Sequence, residues 1–222
     1  MQHTVENQTS AQLVGMFCCS LLLNGFGNGL TVAMNLGSAL WTTSAVNMSH
    51  AFGVSLLLIL LLEGVAVVLF NAAVLGHLDW RRIAGNFIFM IPFSFLVSAF
   101  ADVIKMTPLV TMPLVIRVGL DLIGIICIGC AISIYQRINV VIHPNDDLMQ
   151  IIRFKFFHGN AAIAQVVSFL PPIIIDILCV SFTRQIYAIN IGTLFSLVAQ
   201  GAVIGFADMH VFPKLKHRHL QV

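Results

Sequence analysis

The sequence predicts an all-α polytopic membrane bundle of about six transmembrane helices, and three observations lead there. Hydrophobic residues make up 59% of the 222 positions and charged residues 9%, whereas a soluble domain carries about 25% charged residues. The apolar residues gather into continuous runs near the length of about 20 residues that a helix needs to cross a bilayer. Those runs also lack the apolar–polar alternation of spanning barrel strands. A chain this poor in charge cannot clothe a globular surface in water. Its length leaves room for the spans and short loops of one transmembrane domain, 1–222, with no soluble domain. The net charge of +2 is too small to suggest nucleic acid as a partner.

The first run, residues 11–36, carries Gly25, Gly27 and Gly29. Gly25 and Gly29 form a GxxxG pair that lets another backbone approach closely, so helix packing is preferred to ligand lining. The preceding segment MQHTVENQTS has no Lys or Arg and so lacks the basic start of a signal peptide. This run is therefore read as a retained span. The polar stretch LGSALWTTSAVNMSH follows. Trp41 is placed there like an interfacial anchor, and Thr42, Thr43 or Ser44 is expected to cap a short helix.

The second span, Phe52 to Gly76, holds a single charge, Glu63, near its middle. A carboxylate at that depth costs at least about 2.5 kcal/mol, so it is expected to face a bundle interior, a partner or a watery path. The third span, 83–104, contains Pro92, which predicts a kink, and closes on Phe100-Ala101-Asp102. In the fourth, 113–135, Arg117 and Asp121 stand four apart on one face. They either pair or reach separately for the headgroups.

The segment HPNDDLMQIIRFKFFHG reads as an amphipathic helix lying along, or dipping into, the membrane face. Pro144 suits its first position, and Asp146 and Asp147 suit its positive N-terminal end. Leu148, Ile151, Ile152 and Phe156 form a stripe opposite Asp147, Gln150 and Arg153. The fifth span, 160–182, is expected to break at Pro171-Pro172, just before Asp176. The sixth, 189–211, closes on Phe206-Ala207-Asp208 before the basic tail PKLKHRHLQV.

The halves repeat. Each has a glycine-bearing span, a polar turn with a short helix, a span with one acid (Glu63, Asp176) and a span ending in FAD. Three spans per half make the second enter from the opposite side, so residues 11–105 and 113–212 form an inverted 3+3 repeat. Such folds place sites near the midplane, between repeats and beside broken helices. The cationic bias puts both termini in the cytoplasm of a multi-pass protein of the cell membrane. Arg81, Arg82, Arg137, Arg153, Lys155, Lys214, Lys216 and Arg218 fall on one side, against Lys105 and Arg184 on the other.

Several short motifs carry a resemblance. They are IHPNDDL at 142–148, Gly192-Thr193 with Gly201, the terminal Phe212-Pro213-Lys214-Leu215, and GNGLTVAMNLGSALWTTSAV in the first half. Together these resemble the YczE/YyaS/AitT group of bacterial membrane proteins, which is related to the YitT family. The resemblance covers nearly the whole chain and implies a family with some members proposed as transporters or exporters. Leu40 stands where that family usually has Pro, Thr42 where it has Asp, and Ala202 where Pro is common. Those departures weaken the first-half turn as a site, whereas Pro144, Asn145 and Asp146 fit the pattern.

The leading functional expectation is a permease or exporter for a small solute. A carboxyl group held out of water exchanges its proton closer to neutral pH, so proton coupling is a natural reading. Glu63 and Asp176 are the first candidates. Asp102, Asp208, Arg117, Asp121, Asn145 and Asp146 complete the set. Two other classes stand beside it: a six-span binding subunit of a larger transporter, and a non-transport assembly or regulatory factor. Neither HExxH nor GxSxG occurs, so an enzyme is not expected. Cys127-x-x-Cys130 lies in an apolar run and is read as packing rather than as a metal or redox motif, and no cofactor is expected. Expected partners are bilayer lipid, a small solute and, as an open alternative, a second copy of the chain. The sequon at Asn47 lies in an expected outer loop but carries no assignment.

Overall fold

A computed structural model describes residues 9–185 and 187–217. The leading segment 1–8 and Arg218, used above for signal and orientation, lie outside the described residues. Six helical stretches among the described residues are long and apolar enough to cross a membrane. The protein is an all-α, multi-pass membrane protein.

The local chemistry explains where each helix starts and stops. Helix α1 (Ser10–Met34) opens on a capping box between Thr9 and Gln12, and Asn35 closes it in the left-handed conformation. Helix α2 (Leu40–Phe52) has no side-chain cap and stops at Gly53, whose φ of 66° is costly for any residue with a Cβ. Thr42, Thr43 and Ser44 are therefore interior residues, not caps. Ser55 caps α3 (Leu56–Leu75), and Asp79 caps α4 (Trp80–Lys105), which runs unbroken through Pro92. A single 3-10 turn (Pro108–Thr111) leads to α5 (Leu114–Ile138), closed by left-handed Asn139. Helix α6 (Pro144–Lys155) has Pro144 in its first turn and is capped by His143, whose Nδ1 accepts from the Asn145 amide.

The fifth span is two helices, α7 (Ala161–Ser168) and α8 (Leu170–Thr183), with the break at Phe169. Pro171 and Pro172 fall in the first turn of α8, where backbone N–H groups have no intrahelical partner to lose. The prolines thus start a helix rather than interrupt one. Helix α9 (Ile191–His210) opens on a capping box between Asn190 and Thr193.

The neighbours repeat along with the elements. Helix α1 packs on α4 and α5, and α5 on α1 and α9; α2 packs on α3 and α8, and α6 on α3 and α7. Exchanging α1 with α5, α2 with α6, α3 with α7–α8, and α4 with α9 maps these contacts onto one another. The positions follow suit: Ser10 to Leu114, Asn35 to Asn139 and Leu40 to Pro144 are each separated by 104 positions.

Close backbone approach holds the centre. A Cβ on Gly27 would lie 2.7 Å from the Gly124 carbonyl oxygen on α5, and one on Gly29 would lie 2.5 Å from the Phe100 Cβ on α4. The glycine row of α1 is thus a packing surface for two helices. Helix α6 does not lie along the membrane face. Its polar side is buried, with Asp147 and Gln150 both at 0% exposure. At a rise of about 1.5 Å per residue, α6 covers about 18 Å, or roughly half a bilayer. It reaches from Asn145 beside Glu63, the eighth residue of α3, to Lys155, which donates to the Val74 carbonyl in the last turn of α3.

Candidate functional site

The N-terminal turns of α2 and α6 meet at one central cavity of about 30 Å³. Trp41 and Thr42 line it from α2, Asn145 and Asp146 from α6, Asn24 and Asn28 from α1, Gln165 from α7 and Gln200 from α9. Each short helix aims its positive end at this space. The volume suits about two waters.

Four hydrogen bonds running in one direction cross from one half-helix to the other. Thr42 Oγ1 donates to Asn28 Oδ1 (2.5 Å), Asn28 Nδ2 to Asn24 Oδ1 (2.8 Å), and Asn24 Nδ2 to the Tyr135 hydroxyl (3.0 Å). The Tyr135 hydroxyl then donates to Asp146 Oδ2. Each bond polarises the next, and the chain ends on a carboxylate. It joins α2 to α6 through α1 and α5.

A second set of contacts hangs both mid-span acids on α2. Asn145 Nδ2 donates to Glu63 Oε1 (2.9 Å), and the Ser44 hydroxyl makes a long contact with Glu63 Oε2 (3.4 Å). One turn further along α2, Asn47 Nδ2 donates to Asp176 Oδ1 (2.7 Å) and Asn47 Oδ1 accepts from the Ala188 amide (3.1 Å). Glu63 and Asp176 are therefore held one helical turn apart by the same face of α2, and both are buried. Asn47 is 1% exposed and fully engaged, which closes its sequon to modification in the folded chain.

Several buried atoms around the cavity lack a partner: Trp41 Nε1, His143 Nε2, Asn145 Oδ1, Gln165 Oε1 and Gln200 Oε1. An unsatisfied buried polar group costs about 1–3 kcal/mol. Their convergence on one space suits a small polar occupant. Trp41, expected at the interface, is buried here because α2 begins deep in the bundle rather than at its surface.

The two half-helices are secured differently. The Asp147 carboxylate of α6 lies 3.6 Å from Arg82 Nε and accepts from Asn86 Nδ2 (3.2 Å). Beside it is a cavity of about 100 Å³ lined by Asp79, Arg81, Asn139 and Val140. At the corresponding place on α2, Thr43 touches Thr193 by hydroxyl contact (3.3 Å), and the Gly192 amide donates to the Leu36 carbonyl (2.8 Å). A Cβ on Gly37 would stand 2.5 Å from the Thr193 nitrogen, so that side is closed by backbone.

The structure gathers Glu63, Asp176, Asn145 and Asp146 around α2 and the cavity, and leaves the other four expected residues elsewhere. The Asp102 side chain is 68% exposed, 4.0 Å from Lys105. Asp208 joins Arg137, Arg153, Ser133 and His217 at the end of α9, a knot that ties down the tail. Arg117 and Asp121 do not pair. Arg117 donates to the Met34 carbonyl, and Asp121 lies against Gly192, where any Cβ would strike its carboxylate. Charge was the signal followed in the sequence, and it passed over Asn24, Asn28, Ser44, Asn47, Tyr135, Gln165 and Gln200. Amides at i and i+4 within an apolar run, as at Asn24 and Asn28, were the available sign.

Neither curated proteins nor solved structures give a match to this chain. A family model does match, over residues 12–209, and its description is a family of unknown function, DUF6198. With that match running through all six spans, the chain belongs to the DUF6198 family.

Proposed function

We propose that the protein is a membrane transporter for a small solute, with its site in the central cavity between α2 and α6. The observation that carries this reading is the meeting of two half-bilayer helices, N-terminus to N-terminus, at a space ringed by unpartnered buried polar atoms. Inverted repeats place such half-helix ends at a midplane site. The matching order of neighbours and the 104-residue spacing support an inverted 3+3 relation between 11–105 and 113–212. With the cationic segments inside, both termini and the 100 Å³ cavity beside Asp147 face the cytoplasm of a plasma-membrane protein.

In this reading Glu63 and Asp176 are the charge-carrying groups. Substrate or proton binding at Glu63 competes with its bonds to Asn145 and Ser44, and so loosens α6 from α3 and α2 together. The Arg82–Asp147 contact is the thinner of the two closures, since the opposite one is built from backbone.

The test uses protein in liposomes loaded with a pH-sensitive dye and a panel of small polar solutes. Wild type is expected to move protons on addition of at least one of them. Glu63→Gln and Asp176→Asn are expected to lower the rate about tenfold or more, and to flatten its dependence on pH. Equal rates for all three proteins across a pH series would remove these acids from the mechanism. No solute-linked flux from wild type would favour a binding or assembly role.

A further inference from the structure

A third cavity, of about 560 Å³, runs between α2, α3 and α8, within the size range of about 300–1,000 Å³ typical of ligand pockets. Unlike the central cavity it lies on the outside of the bundle, where Phe52, Leu58, Leu62 and Phe70 are all exposed. These residues sit on or next to spans, so the groove opens sideways into the bilayer rather than to water. Its lining is apolar apart from Glu63 and the indole nitrogen of Trp41.

Trp41 is the wall between the two spaces, since it lines both the lateral groove and the central cavity. It is 93% buried, being 7% exposed, and its Nε1–H has no acceptor. Glu63 lines the groove and is bonded to a residue of the central cavity. Its Oε1 is held by Asn145 of the polar centre, whereas Oε2 has only the 3.4 Å contact with Ser44 and keeps most of its accepting capacity.

We infer that this groove is a lateral binding site for a lipophilic amine, whose apolar body lies between α3 and α8 and whose N–H group donates to Glu63 Oε2. This rests on the reading of Glu63 as the acid of the transport site and names its substrate class. Charge complementarity selects the head group. The groove has one carboxyl group and no cationic side chain, so a fatty acid would find no cation to pair with, whereas an ammonium gains a charge-assisted hydrogen bond to that carboxyl group. Movement of the Trp41 indole would then join the groove to the central cavity, giving the substrate a path from lipid to the middle of the bundle.

The chain has two tryptophans, and Trp80 is 72% exposed at the start of α4. A Trp80→Phe protein in detergent therefore reports on Trp41 alone. Titration with an ω-bromoalkylamine is expected to quench that fluorescence saturably, and the ω-bromo fatty acid of equal chain length to quench it weakly and without saturation. Glu63→Gln should raise the amine's half-saturation about tenfold, the scale of one lost bond to a charged group. Ala66→Phe, an exposed groove residue whose change leaves the core alone, should raise it by a similar factor. Equal, non-saturating quenching by both probes would overturn the inference and make the groove a seat for bilayer chains. Equilibrium quenching does not depend on flux, so saturable amine binding with no proton movement in liposomes on addition of either the amine or the polar solutes would sink the transport reading and leave this site standing. Flux of small polar solutes without amine binding would do the reverse.

Discussion

At the scale of single residues, two kinds of side chain hold the bundle: those that are absent and those that are over-bonded. Gly27 lies against the α5 backbone, which cannot rotate away, so Gly27→Ala should destabilise by about 1–3 kcal/mol through overpacking. Gly119 has nothing within 4 Å of a built Cβ, so Gly119→Ala should be neutral or stabilising by up to about 1 kcal/mol through helix propensity. Thermal unfolding midpoints of the two variants in one detergent check the contrast, and a shared shift would refute it. Arg137 shows the second kind. It is 1% exposed, and its guanidinium donates to the carbonyls of Ser133, Asp208, Val211, Phe212 and Leu215. Lysine keeps the charge but not the planar fork, so Arg137→Lys should cost about 3 kcal/mol and loosen the tail from α5. Limited proteolysis near Leu215 would report that loosening; unchanged cleavage would mean the fork is dispensable. The sequence offered Arg137 only as a loop cation for counting. Its role was hidden because a buried Arg is recognised by carbonyls that a chain folding back supplies, and those leave no mark in composition.

Helix α6 is the clearest case of an element whose existence was legible but whose setting was not. Pro144 and the paired aspartates located its start, and its stripe fixed its period. Yet amphipathicity describes two different faces equally well: one wet, and one paired with buried polar groups. Asp147 and Arg153 belong to the second, with Arg82 and Asp208 as partners contributed by α4 and α9. The six spans were legible because hydropathy and length suffice for them. The break in the fifth was legible from its prolines, though it falls at Phe169, just ahead of them. Opposed half-helices make a labelling prediction. In a cysteine-free chain, His50→Cys in the last turn of α2 and Phe156→Cys after α6 place thiols at exposed positions. A membrane-impermeant maleimide applied to intact cells should modify the first alone, and modify the second only after permeabilisation. Labelling of both from outside would rule out an inverted relation between the halves.

For the whole molecule, neither half encloses the cavity. Its walls alternate between the two sets of spans, so the site belongs to their interface. The pairing of Glu63 with Asp176 was inferred because each half has one span carrying a single acid, and the structure brings them near by a route the sequence did not suggest, through Ser44 and Asn47 on α2. The two FAD endings match in sequence but not in surroundings, since Asp208 is packed against Arg137 and Arg153 whereas Asp102 is largely exposed, with Lys105 4.0 Å away. The seam between α1 and α5 also has a consequence in time. Asn24 waits for Tyr135, a residue 111 positions later in the chain. At a synthesis rate of about 5–20 residues per second, α1 spends roughly 5–20 s in the bilayer before its partner is made. During that interval Gly27 and the Asn24 amide have no counterpart on α5. The nascent first half is then an unfinished surface, and whatever shelters it on the way into the membrane has to let go when α5 arrives.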